Sequence, residues 1–91
     1  MSKDRFKPTE IDRLHPEDNI RVEITNVNGD KVAGYKGSGF SNISDAIDSA
    51  YDTNSELLGS KDDYVYTVTD MAKNISHRYR INAGGHVKLL V

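Results

Sequence analysis

Apolar and polar residues alternate along three segments of this chain, with the period of two that is typical of half-buried β-strands. The sequence reads IRVEIT over residues 20–25, YVYTVT over residues 64–69 and ISHRYRIN over residues 75–82. Each segment places mainly isoleucine, valine and tyrosine on one face and mainly polar residues on the other. We therefore predict a strand in each of the three segments.

The dipeptide Asn28-Gly29 follows the first segment. It is a strong hairpin signal, because both residues tolerate positive φ in a two-residue type I′ turn. With that loop Val22 faces Tyr35 and Ile24 faces Ala33, so that one face is apolar. A three-residue loop with a bulge at Gly29 would instead bring Val32 to that face. We predict the two-residue loop.

The strand over residues 75–82 is predicted to join a last strand, which follows Gly85. The connecting loop is Ala83-Gly84-Gly85, with Gly85 left-handed. A loop of this length sets Tyr79 opposite Leu89 and Ile81 opposite Val87, and it sets His77 opposite Val91. An even loop would pair Ile81 with Lys88, which would mix the two faces.

One helix is predicted between the two strand regions. Gly37-Ser38-Gly39 breaks the preceding strand, and Ser41 or Asn42 can then cap a helix. We expect the helix to end between Asn54 and Gly59. Its apolar stripe repeats at the spacing of an amphipathic helix and consists of Ile43, Ala46, Ile47, Ala50 and Tyr51.

The element order is therefore β-β-α-β-β-β, which predicts an α+β fold. We expect a two-layer sandwich in which a mainly antiparallel sheet packs one helix on one face. Residues 1–19 hold both prolines and few apolar residues, and we expect them to form a flexible N-terminal leader. Residues 20–91 are predicted to form a single domain.

Composition narrows the class of protein. The 91 residues include no cysteine, which excludes disulfides, a cysteine-based zinc site and thiol chemistry. This fits a reducing compartment, and we expect a cytoplasmic protein. The N-terminus does not resemble a signal peptide. No segment reaches the roughly 18–20 apolar residues that span a bilayer, so we expect no membrane contact.

The sequence contains no recognisable catalytic, cofactor or metal motif. Gly37-Ser38-Gly39 before the helix lacks the third glycine and the lysine of phosphate-binding loops. The histidines His15, His77 and His86 do not form a zinc-binding pattern. We expect a protein that is not an enzyme and that needs no cofactor or metal.

The charges are sorted into two blocks, although the net charge is only −2. Strand alternation points Arg78, Arg80 and Lys88 away from the helix. The two hairpins also have a weak sequence similarity to each other, which places Arg21 and Lys36 on the same face. The helix segment carries its carboxylates opposite the apolar stripe, without a Lys or Arg four residues away. These carboxylates are Asp45, Asp48, Asp52 and Glu56.

Either charged surface could bind a macromolecule or could simply be solvated. We expect a small, non-enzymatic protein-interaction module, because opposite charges on different elements present different faces to partners. The alternative is a nucleic-acid-binding domain that uses Lys36, Arg78, Arg80 and Lys88. Single-strand binders also display aromatic residues for base stacking, and the five tyrosines here are all assigned to the core side or the helix stripe.

Overall fold

The computed structural model describes residues 14–82 and 84–90. It contains five antiparallel strands and one α-helix, which confirms the predicted α+β sandwich. The elements in chain order are β1 (Ile20–Thr25), β2 (Lys31–Gly37), α1 (Ile43–Thr53), a 3₁₀ turn (Lys61–Asp63), β3 (Val65–Asp70), β4 (Ile75–Ile81) and β5 (Val87–Leu90).

The strands lie in the order β2-β1-β3-β4-β5. β1 is paired on both sides, with β2 and with β3, so the connection through α1 crosses over β1 to bring β3 to its other side. The helix contacts β2, β1 and β3, while the 3₁₀ turn contacts β4. One face of the sheet is thus covered, and we call the opposite side the open face.

The core lies between α1 and the sheet. The predicted helix stripe is buried except for Tyr51, which is half-buried, and each strand from β1 to β4 except the edge strand β2 adds fully buried side chains. The buried apolar residues are Leu14, Ile20, Val22, Ile24, Ile43, Ala46, Ile47, Ala50, Tyr66, Val68, Tyr79 and Ile81.

The first hairpin has the predicted register but not the predicted turn. Val22 pairs with Tyr35 and Ile24 with Ala33, as expected, yet Thr25 pairs with Lys31 across a bulge. The loop closes where the Asn26 amide donates to the Asp30 carbonyl at 2.9 Å, which leaves three residues in the loop. Gly29 has φ +89° while Asn28 does not have a positive φ, so the two-residue type I′ turn was wrong.

The bulge also explains why Val32 stays out of the core. A three-residue loop shifts the pairing by one residue, and the extra residue in β2 shifts it back before Ala33. Val32 is therefore 37% exposed rather than packed with Ile24. The bulge in β2 thus compensates for the three-residue loop and keeps the apolar residues on one face. No single residue in the sequence indicates this bulge.

The last hairpin uses the predicted three-residue loop. Tyr79 pairs with Leu89 and Ile81 with Val87, which confirms both predictions, and Gly85 is left-handed with φ +83°. Asn82 Oδ1 accepts the amides of Gly84 and His86 at 3.0 Å, just as Asn26 Oδ1 serves its own loop. The predicted pair of His77 with Val91 lies outside the described residues.

The helix begins at the predicted place, because Asn42 Oδ1 accepts the Asp45 amide at 2.9 Å. It ends at Thr53, with Asn54 as its C-cap. Glu56 therefore lies in the turn after the helix and not on a helical stripe, which corrects the predicted position. The helix thus ends at the start of the predicted range, because residues 54–57 form tighter turns, with the Leu57 backbone amide donating to Asn54 O at 2.9 Å.

The end of the predicted leader contacts the fold. Leu14 is buried, and its amide donates to the Ser41 carbonyl at 3.0 Å. The Pro16 carbonyl accepts the Gly39 amide at 2.7 Å, and the Asn19 carbonyl accepts the Met71 amide at 3.0 Å. Residues 14–19 are thus hydrogen-bonded to the connection between β2 and α1 and to the turn between β3 and β4. For residues 1–13, which lie outside the described residues, the leader stays a prediction.

Candidate functional site

The open face of the sheet is built from the polar half of each strand alternation. Its side chains line up in three rows that run across the strands. The first row is Lys36, Arg21, Thr69 and Ser76; the second is Gly34, Glu23, Thr67, Arg78 and Leu90; the third is Lys31, Thr25, Val65, Arg80 and Lys88.

Six cations are exposed on this surface, which we call the basic face. They form one group on β1 and β2 and another on β4 and β5, and the carboxylate among the open-face strand residues is Glu23. The six are Arg21, Lys31, Lys36, Arg78, Arg80 and Lys88. Within residues 14–82 and 84–90, none of them forms an ion pair.

The group on β1 and β2 surrounds a shallow depression of about 280 Å³. Gly34 leaves the space, since it has no side chain beside Glu23 in the middle row. The Lys31 chain lies over Gly34, with Cε 3.4 Å from the position that a Cβ would take. Arg21 and Lys36 complete the rim.

Sequence reasoning missed Lys31. In an unbroken alternation Lys31 would lie on the same side as Ala33 and Tyr35, which face the helix. The bulge at Thr25 and Lys31 reverses that parity and moves the lysine to the open face. The signal that could have found it is the loop Asn26-x-x-Gly29, whose form matches the last hairpin.

The second group lies on β4 and β5, toward the opposite edge of the sheet. Arg80 pairs with Lys88, and Arg78 lies one row away on the same strand. The Arg80 guanidinium donates to the Asp62 carbonyl at 3.1 Å, which fixes the arginine against the 3₁₀ turn. A second depression of about 320 Å³ lies between Asp62 and this pair. The structure therefore brings together Arg78, Arg80 and Lys88 and keeps Lys36 with the first group.

Aromatic side chains lie away from the basic face in the described part of the chain. Tyr66 and Tyr79 are buried on the helix side of the sheet. On the same side the ring centroids of Tyr35 and Phe40 lie 6.2 Å apart. Between the two basic groups the middle row offers Glu23 and Thr67. The face thus presents separated cations and short hydrogen-bonding side chains, without a surface on which bases stack.

The acidic residues of the helix region are dispersed on the other side of the molecule. Asp45 and Asp52 are exposed, and Glu56 lies in the turn beyond the helix. Asp48 has a partner that the four-residue spacing rule could not reveal, because Lys61 Nζ lies 2.9 Å from its Oδ1. The acidic stripe is therefore less continuous than predicted, and binding of a partner by Asp45, Asp48, Asp52 and Glu56 stays a prediction.

A cluster of tyrosines fastens the segment before β3. The Tyr66 hydroxyl donates to the Lys61 carbonyl at 2.7 Å, and the Tyr64 hydroxyl accepts the Gly59 amide at 2.6 Å. The Lys61 ammonium lies 5.1 Å from the centre of the Tyr51 ring. Burial, with smaller contributions from nearby acidic groups, raises the pKa of Tyr66 well above its usual value. These contacts hold Asp62 in place under Arg80.

The described residues offer no group of three or more His, Asp or Glu side chains that could hold a metal ion. His77 is half-buried on the helix side of β4, while His15 and His86 are exposed in loops. None of the helices in residues 14–82 and 84–90 has the length and apolar character needed to cross a membrane.

Comparison with known proteins gives no relative: no family model, no curated protein and no solved structure matches this chain. The open face and its six exposed cations are the features of the described chain that indicate a function.

Proposed function

We propose that this protein is a non-enzymatic protein-interaction module that binds an acidic protein surface with its basic face. The observation that carries the proposal is the arrangement of six exposed Lys and Arg side chains on one uncovered sheet face, none of them in an ion pair with a described carboxylate. Such a surface steers and orients a partner of opposite charge.

The distribution of the cations favours a protein over a nucleic acid. A strand of DNA or RNA needs a continuous positive track, and its bases bind best on exposed aromatic rings. On the described open face Glu23 and Thr67 separate the two basic groups, and no aromatic side chain accompanies them. A folded acidic partner can instead place separate carboxylates against each group.

The same proposal assigns the protein to the cytoplasm. Its support is the complete absence of cysteine from the 91 residues, which fits a reducing compartment.

Mapping of shifted backbone amides tests the proposal. A labelled sample is titrated with a decaglutamate peptide, and in parallel with oligothymidylate and oligouridylate, at about 10 mM and about 150 mM salt. We expect the peptide to shift amides of β1, β2, β4 and β5 at low salt, and we expect no oligonucleotide to bind at the higher salt. Oligonucleotide binding at about 150 mM salt would make the nucleic-acid alternative the answer.

A further inference from the structure

The two edges of the sheet differ in how they are protected. At the β2 edge the Asn54 amide group donates to the Gly34 carbonyl at 3.2 Å, and a bulge interrupts the strand. Both features hinder the addition of another strand. At the other edge β5 pairs with β4, and no strand of the described chain pairs with its far side.

The free edge of β5 has a definite set of hydrogen-bonding groups. The backbone amide of Asn82 donates to the His86 carbonyl at 3.0 Å, so Asn82 and His86 form a hydrogen-bonded pair of the antiparallel ladder. Because such pairs alternate in an antiparallel ladder, Lys88 and Leu90 also bond to β4. The N–H and C=O groups of Val87 and Leu89 must then point away from β4 and toward the free edge.

Apolar side chains lie on both faces of the edge strand β5. Val87 and Leu89 are half-buried on the helix side, and Leu90 is half-buried on the open face. Val87 and Leu89 give the helix-side half of this edge an apolar character that an added strand can extend. Lys88 is the charged residue of β5, and it lies beside Arg80 on the basic face.

We propose that the β5 edge accepts an extended segment of the acidic partner as a sixth strand, with apolar residues opposite Val87 and Leu89 and an acidic residue opposite Lys88. This inference rests on the proposed function, and it identifies how the partner is held. The backbone of the added strand bonds to Val87 and Leu89, and its acidic side chain lies near Lys88 and Arg80. The occupant is thus a segment that alternates apolar and acidic residues.

Charge disfavours a second copy of this chain as the occupant. An antiparallel pair of β5 strands centred on Val87, Lys88 or Leu89 places the two Lys88 side chains directly or diagonally opposite, within about 8 Å of each other. It would also join two basic faces into one surface. An acidic strand removes the repulsion that a copy would add.

Amide hydrogen exchange tests the proposal on the unmodified protein. In the free protein we expect slow exchange at Lys88 and Leu90 and fast exchange at Val87 and Leu89. A capped heptapeptide that alternates glutamate and valine, added at about ten times its Kd, should slow exchange at Val87 and Leu89 about tenfold, since only the free fraction exchanges. The Lys88 and Leu90 amides serve as internal controls.

Two further samples separate this inference from the proposed function. Decaglutamate should shift amides of the basic face without protecting Val87 and Leu89, and a lysine-valine heptapeptide should do neither. If the glutamate-valine peptide binds the basic face and leaves exchange at Val87 and Leu89 unchanged, the added strand is refuted while the proposed function stands. If no acidic peptide binds at all, the proposed function itself fails.

A variant and a concentration series complete the design. Leu89→Pro removes an outward-pointing N–H that no described strand uses, and proline is tolerated at such edge positions. We expect it to weaken the glutamate-valine peptide about tenfold and to leave decaglutamate binding unchanged. Equal binding of that peptide by the folded variant would overturn the proposal. Protection of Val87 that grows with protein concentration alone would identify a second copy as the occupant and would also overturn it.

Discussion

Replacing Tyr66 with phenylalanine removes one buried hydroxyl and keeps the ring that fills the core. The hydroxyl donates to the Lys61 carbonyl at 2.7 Å, and Tyr66 is fully buried. A hydrogen bond of this kind contributes about 0.5–1.5 kcal/mol to the free energy of unfolding. For a domain of this size, a loss of about 1 kcal/mol lowers the Tm by about 4–8 °C.

The same substitution changes how stability depends on pH. Burial raises the pKa of Tyr66 in the folded protein, while in the unfolded chain the phenol titrates at its ordinary value of about 10. The protonated Tyr66 phenol therefore makes its full contribution to the free energy of unfolding below about pH 10. This contribution decreases as pH rises from that value toward the folded pKa. Over this window the wild type loses about 1.4 kcal/mol per pH unit through Tyr66 alone. Tyr66→Phe has no such loss.

The two opposing effects predict a crossing. With a cost of about 1 kcal/mol at neutral pH, the free energies of unfolding of wild type and Tyr66→Phe become equal near pH 10.6, and within about pH 10–11 over the range of that cost. Urea denaturation of both proteins from about pH 7 to about pH 11 measures the difference, and the other titrating groups cancel in it. A difference that stays constant above pH 10 would refute the assigned burial of this phenol.

Three further experiments test the core, a loop and an ion pair by denaturant unfolding. Ile47→Ala should cost about 2–5 kcal/mol, because Ile47 is fully buried between α1 and the sheet. Asn26→Ala should cost about 1 kcal/mol, because it removes the acceptor of two loop amides, at 2.9 Å and 3.0 Å. A double-mutant cycle with Asp48→Asn and Lys61→Met should give a coupling below about 1 kcal/mol, since both side chains are a third or more exposed.

Controls for these substitutions lie nearby. Leu57→Ala alters a side chain that is 74% exposed and should stay within about 0.5 kcal/mol of wild type. Asn28→Ala changes the same loop as Asn26 but no acceptor, so it should cost less than Asn26→Ala. An Ile47→Ala cost no larger than that of Leu57→Ala would contradict the core, and a coupling above about 2 kcal/mol would contradict an exposed ion pair.

Much of the fold follows from local alternation in the sequence. The pairs of Tyr79 with Leu89 and of Val22 with Tyr35 could be predicted because apolar side chains must share the covered face. The strand order could not be predicted, since nothing in the sequence of either hairpin indicates which of its edges pairs with the other hairpin. The bulge beside Lys31 was also hidden, because two compensating shifts leave the apolar register unchanged.

The candidate site divides in the same way. The exposure of Arg78, Arg80 and Lys88 followed from strand parity. The Lys61–Asp48 ion pair did not, because its partners are thirteen residues apart and meet only after the chain folds. The burial of Leu14 was likewise beyond local pattern, since a single apolar residue in a polar segment acquires a place in the core only from its tertiary neighbours.

The most direct test of the proposed function compares two exposed cations. Arg78→Glu reverses a charge on the basic face, and Lys73→Glu makes the same change in the β3–β4 turn, where Lys73 lies 3.9 Å from Asp70. Decaglutamate affinity is measured for both variants and for wild type at about 10 mM salt. The variants carry equal net charge, so their difference in affinity separates the position of the reversed charge from the net charge of the protein.

We predict that Arg78→Glu weakens decaglutamate binding by about 30-fold relative to Lys73→Glu, since a total change of about 2 kcal/mol is expected. An exposed charge pair at 4 Å in water is worth about 1 kcal/mol, and the reversal turns attraction into repulsion. Equal affinities for the two variants would contradict the assignment of the basic face as the binding surface.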